Sequence, residues 1–168
     1  MKLYIQEKVF SITEQFFVKD EAGNDKYMVK APLGFRVGLK LNIYDMNGNE
    51  LGHIDQKAFS FNPTFRVYRG GIQTATIVKK FTFIKQKYEV EELNWTVHGD
   101  FLAHEYVIES PQGQIMTIHK EWFSWGDSFV LDFTNNTNEL EALAVVLAID
   151  HVVDSEGNGF KVNGHTVN

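Results

Sequence analysis

Apolar and polar residues alternate in short runs along most of the chain. Val37, Leu39, Leu41 and Ile43 alternate with Arg36, Gly38, Lys40 and Asn42, the period of a half-buried strand. Asn47-Gly48 follows, a strong hairpin signal, and Leu51 to Ile54 reads as the returning strand. Before them, Phe10, Ile12, Phe16 and Val18 share one parity and end at a turn-rich segment, Asp20 to Asp25. After them come Phe65 to Arg69, a Gly70-Gly71 turn, and an apolar-rich run from Thr74 to Ile84. Leu102/His104/Tyr106/Ile108, Met116/Ile118/Trp122 and Phe129/Leu131/Phe133 continue the alternation, with turns at Pro111-Gln112-Gly113 and Trp125-Gly126-Asp127. Strands recurring about every 8–12 residues predict an antiparallel sandwich or barrel.

One segment breaks this period. Residues 138–153 read Asn-Glu-Leu-Glu-Ala-Leu-Ala-Val-Val-Leu-Ala-Ile-Asp-His-Val-Val. Asn136 or Asn138 is suited to cap a helix there, and Glu139 and Glu141 suit the positive end of its dipole. The middle of the segment is apolar on every face, so such a helix must be surrounded rather than laid on a surface. The predicted fold class is therefore all-β with one buried helix: a closed antiparallel β-barrel around a hydrophobic C-terminal helix.

Composition narrows the reading. The 168 residues, with no internal repeat and no linker, predict one domain over 1–168. The absence of cysteine removes disulfides and thiolate chemistry. The 14 Phe, 6 Tyr and 3 Trp are read as packing around the helix. The N-terminus carries charges where a signal peptide needs an apolar core. The longest apolar run, Ala142 to Ile149, is far shorter than the roughly 20 residues of a transmembrane helix. A cytoplasmic protein without a transmembrane segment is expected.

At this point a resemblance enters. Asn94-Trp95-Thr96-Val97-His98-Gly99-Asp100-Phe101, the run Lys120 to Phe129 with its Trp-Phe-Ser-Trp-Gly-Asp core, and the Leu143–Asp150 segment resemble the LURP-one-related (YxjI-like) family. Asp45 to Leu51 and Asn62-Pro63-Thr64-Phe65 fit the same pattern in order. The resemblance implies a tubby-like fold, a barrel of about twelve strands threaded by the helix. Its wider superfamily includes phosphoinositide-binding tubby domains and phospholipid scramblases. It brings no catalytic residues. The calcium-binding segment of scramblases has no counterpart here, and neither do their palmitoylated cysteines.

Charge gives the main functional lead. The net charge of −6 argues against a nucleic-acid partner. Yet Gln56 to Tyr88 holds seven bases and no acid: Lys57, Arg66, Arg69, Lys79, Lys80, Lys85 and Lys87. The rest of the chain is 9 − 22 = −13. Arg66, Arg69, Lys79, Lys80, Lys85 and Lys87 are the candidate anion- or lipid-binding residues, for an anionic membrane surface or a phosphoinositide. The Gly70-Gly71 amides would assist. Lys79 and Lys80 have opposite parity, so all seven share one face only if a bulge intervenes.

Other chemistry is weaker. His98, His104 and His119 lack metal-ligand spacing, and His104 is read as a core residue. Asp100, Glu105, Glu109, Glu121, Asp127 and Asp132 read as turn formers or solvated acids. Asp154 to Gly159 misses the calcium-loop pattern because its twelfth position is His165. Asp150 is expected to bond strand-end amides and lock the helix. No cofactor, metal or catalytic set is assigned. The expectation is a non-enzymatic binding or scaffold module with an anionic partner or an unnamed protein partner. The alternative is an enzyme or small-ligand barrel.

Overall fold

Twelve strands run up and down in chain order and close on themselves. The structure, a computed structural model, describes residues 1–6, 15–32, 38–123, 126–134 and 138–162, with helix side chains as far as Glu156. The first six strands are β1 (Lys2–Gln6), β2 (Gln15–Lys19), β3 (Asp25–Lys30), β4 (Lys40–Asp45), β5 (Glu50–Gln56) and β6 (Thr64–Arg69). The second six are β7 (Ile72–Lys80), β8 (Lys87–Val90), β9 (Trp95–Asp100), β10 (Glu105–Ser110), β11 (Gly113–Phe123) and β12 (Gly126–Phe133). A single helix, α1 (Glu139–Val162), follows. The barrel closes where β1 meets β12, in register from Lys2↔Asp132 to Gln6↔Ser128. On its other side β1 pairs with β2 through Tyr4↔Lys19.

Strand alternation aims one side chain in two at the helix. Leu3 and Ile5, Val29, Ile43, Ile54, Phe65 and Val67, Val97, Ile108 and Leu131 are all buried around it. Every residue from Leu140 to Asp150 is buried, which is why this segment is apolar on all faces. Glu141 and Asp150 are the charged exceptions. Ala142, Ala144 and Ala148 give the helix the narrow profile that a barrel interior requires. No described helix is long and apolar enough to cross a membrane.

The two ends of the barrel differ in their connections. At one, the turn end, β2–β3, β4–β5, β6–β7, β8–β9 and β10–β11 are joined by short turns, and α1 enters. Asp45 Oδ1 accepts the amides of Asn47 and Asn49 at 2.9 and 2.8 Å, and Asp20 Oδ1 does the same for Ala22 and Asn24. The Asn49 side-chain amide, which donates to Asp45 Oδ2 at 2.8 Å, and the backbone amides hold the Asp45 carboxyl below the usual carboxylate range, and the Asn24 backbone amide does most to lower Asp20. At the other, the loop end, the β5–β6 connection (57–63) and the β7–β8 connection (81–86) are longer, and α1 leaves the barrel.

Several boundaries differ from the sequence reading. The helix runs to Val162 rather than ending near 153. β7 stops at Lys80, so Phe81 to Ile84 lie in a loop and not in a strand. β10 begins at Glu105, which leaves Leu102 exposed in the preceding turn. Trp122 sits on β11 but is exposed, because that strand outruns the core. Val37, Phe10, Ile12, Trp125 and Asn136 lie outside the described residues.

Candidate binding surface at the loop end of the barrel

The six basic residues singled out in the sequence do not form one face. Lys79 points inward, fully buried, and its ammonium pairs with Glu156 of the helix. Its neighbour Lys80 points outward to Glu89 at 3.5 Å and Glu91 at 3.9 Å. Lys87 donates to Glu89 at 2.8 Å, and these lysines hold the Glu89 carboxyl below its ordinary range. Arg69 lies at the turn end, where its guanidinium is 3.5 Å from the buried Glu141 carboxylate. Arg66 is half-buried on β6, opposite Asp55 of β5 and Thr76 of β7. Lys85 is exposed in the β7–β8 loop, and Lys57 in the β5–β6 loop. Neither makes an ion pair among the described residues. The balancing acid Glu89 stands one residue beyond the acid-free window and faces Lys87 by strand parity.

What the fold does gather at the loop end is apolar. Nine large apolar side chains are exposed among the described residues, and all but Met46 and Ile72 lie at this end. Phe59, Phe61 and Phe83 are fully exposed, Ile84 is 90% exposed and Phe81 59%. Their two loops are neighbours. The Lys57 amide donates to Thr64 O at 2.9 Å, and the Lys79 amide donates to Pro63 O at 3.0 Å, tying the bases of both loops to the β6–β7 ladder. Lys79 Nζ lies 5.3 Å from the Phe81 ring centroid, so the buried ammonium sits beneath this aromatic. These rings correct the reading of the aromatic excess as packing alone. Their signal was present in the sequence: Phe59-Ser60-Phe61 and Phe81-Thr82-Phe83 both lie inside the acid-free stretch.

Beneath this rim, titratable groups hold the helix exit. His104, at φ 56° in the β9–β10 turn, hydrogen-bonds through Nε2 to Asp150 Oδ1 at 3.0 Å and stacks on Phe129. Asp150 thus locks the helix as expected, but through an imidazole and not through strand-end amides. Burial, with Asp150 and Tyr88 nearby, pushes the Tyr106 hydroxyl well above its usual range. That hydroxyl has no partner among the described groups. Burial also lowers His151 and raises Asp154, the latter with help from the Asp150 charge. His98 and His119 turn away, to Glu109 at 2.9 Å and Glu121 at 2.7 Å. The three histidines therefore engage three different carboxylates. Among the described residues, no three His, Asp or Glu side chains converge as a metal site. An open cleft of ≈ 620 Å³ lies beside the helix exit, between Lys85, His98, Asp100, Phe101, Val153 and Glu156.

Comparison with known proteins agrees with this architecture. Residues 1–150 match the family model described as LURP-one-related. The chain is 29% identical over 153 residues to Uncharacterized protein YxjI of Bacillus subtilis (strain 168), covering 91% of this chain and 94% of that one. An X-ray structure of a protein from Arabidopsis thaliana superposes with a TM-score of 0.62 at 17% identity, covering 90% of this chain and 91% of the other. At that identity the likeness concerns the fold.

Proposed function

The chain belongs to the LURP-one-related family, and from that premise we propose that it is a non-enzymatic binding module that presents its loop end to an anionic partner. The observation that carries this reading is the charge of the connections. The described loops at the loop end contain Lys57 and Lys85 and no acid, whereas the turns at the opposite end contain Asp20, Glu21, Glu91 and Glu92 and no base. An anionic partner meets no acid in the described loops of the first end and is repelled by the turns of the second. Lys80 and Lys87 stand just below the rim, where an incoming anion competes with Glu89 for them. A filled interior supports a binding role over lipocalin-like ligand storage, since the helix occupies the space a ligand would take.

The test is binding to two anionic probes, heparin and phosphatidylserine-containing vesicles, across a salt series. Binding to at least one, weakening steeply with salt, is the expected outcome. The Lys57→Glu/Lys85→Glu variant should lose most of it. If neither probe binds at any ionic strength, the reading is wrong. A small-ligand reading rests on the cleft beside the helix exit, which offers an apolar wall at Phe101 and Val153 with polar groups at its mouth.

A further inference from the structure

Resting on that reading, we propose that the anionic partner is a phospholipid bilayer, entered by the apolar side chains of the β5–β6 and β7–β8 loops. Phe59, Phe61, Phe83 and Ile84 project from two adjacent loops at one end of a rigid barrel, where each is at least 90% exposed. Phe81 adds a partly exposed ring at the base. A cluster of this kind in contact with water is unfavourable by the full transfer free energy of its rings unless something covers it. No segment of the described chain covers it.

Charge complementarity selects the cover. Lys57 opens the first loop and Lys85 stands next to last in the second, so each loop carries a cation beside its aromatics along the chain. Apolar side chains at the tip with lysines just behind them match a bilayer in depth. The rings reach the acyl boundary about 5–10 Å down, while the flexible lysine stems hold their ammonium groups at the phosphates. An apolar protein groove would accept the rings but gives the two lysines no general counter-charge. A polyanion would accept the lysines and leave the rings in water. The bilayer satisfies both.

The loops suit insertion mechanically. In the β7–β8 loop the Thr82 hydroxyl is hydrogen-bonded to the Lys85 carbonyl, and the Lys85 amide donates back to Thr82 Oγ1 at 3.0 Å. In the β5–β6 loop the Ser60 hydroxyl donates to Lys57 O at 3.2 Å. Both loops thus satisfy part of their own backbone internally, which lowers the desolvation cost of approaching lipid. Two lysines alone give a modest affinity, about fivefold each near an anionic surface. The rings supply the rest.

The absence of native cysteine makes the test direct. Phe83→Cys and Gln112→Cys, the latter in a turn at the opposite end, are each labelled with an environment-sensitive fluorophore and mixed with phosphatidylcholine vesicles with and without phosphatidylserine. The label at 83 should shift to the blue and brighten on the anionic vesicles, while the label at 112 stays unchanged. Phe59→Ser/Phe61→Ser/Phe83→Ser, checked for unaltered thermal unfolding, should weaken vesicle binding by about 10–100-fold while leaving heparin binding intact. If vesicles bind but neither label responds, or the triple serine variant binds them as tightly as the parent, insertion is overturned and the anionic-partner reading stands. If heparin binds and vesicles do not, the bilayer is excluded as the partner. If nothing binds, both proposals fall.

Discussion

The two ends of the barrel both hold the helix but meet solvent in opposite ways. At the turn end the chain is drawn tight. Tyr27 donates its hydroxyl to Glu139 Oε1 at 2.6 Å, Lys26 pairs with the same carboxylate at 2.6 Å, and Arg69 faces Glu141 from β6. The backbone there is packed closely enough that a Cβ on Gly52 would stand 2.3 Å from Tyr68 O and 3.1 Å from Leu140 Cδ2. At the loop end the helix is again held, by His104 and Lys79, but the connections above it extend into water with their apolar side chains uncovered. Holding the helix and exposing apolar side chains are therefore separate features of this barrel. Substitutions can be chosen to disturb one without the other.

The largest expected effect comes from forcing the tight end apart. Gly52→Val should cost on the order of 3 kcal/mol, because the obstacle is backbone and a helix side chain rather than the tip of a flexible group. Urea unfolding measures it, and a loss under about 1 kcal/mol would show that β5 can move away from β6 freely. Next comes Arg69→Met, which leaves the buried Glu141 carboxylate without its cation. Arg69 is itself half-exposed, so water replaces part of the loss and about 1–2 kcal/mol is expected. Adding Glu141→Leu to it should restore most of that stability, and no recovery would mean that the pair matters for more than charge.

At the helix exit the expected signature is a pH slope. Burial lowers the His151 pKa from 6.5, so the unfolded chain binds a proton there more readily than the folded one. Stability is then complete above about pH 6.5 and declines as pH falls through that value. Asp154, whose folded pKa is raised, acts in the opposite sense at lower pH, because its protonated form favours the fold. Melting temperatures of the parent and His151→Asn between about pH 7.5 and 5.5 should diverge, the variant showing the flatter profile. Parallel profiles would count against this account. The smallest stability effect belongs to the loop end: Phe59→Ser or Phe83→Ser should change unfolding by no more than about 0.5 kcal/mol. A larger loss would place those rings in a contact that the fold itself needs.

The barrel was legible in the sequence because its inward and outward positions alternate and its helix is apolar all round. Val97, Ile108 and Leu131 obey the alternation, and Ala142 to Ile149 could fold only inside something. The candidate site was less legible for a related reason. Apolar residues at strand ends have the same local pattern whether they point into a core or past it. Phe81-Thr82-Phe83 continues the parity of Ile77 and Lys79, and nothing local says that β7 has already stopped at Lys80. Lysine misleads in the opposite direction: Lys79 looks like a surface charge, yet it points inward and pairs with a glutamate 77 residues later on the helix. Pairings of that range depend on the closed topology, not on neighbouring sequence.

The threaded helix also bears on how this protein is made. A ribosome delivers all twelve strands before residues 139–156, which fill the space they enclose. Until then the inward faces of β1 to β12 have nothing to pack against, and β1 must remain free to meet β12, the strand synthesised last. High sequence separation of this kind slows folding and leaves strand edges open to other chains. The chain therefore passes through an interval with its inward faces uncovered, and the arrival of the helix segment is the step that ends it.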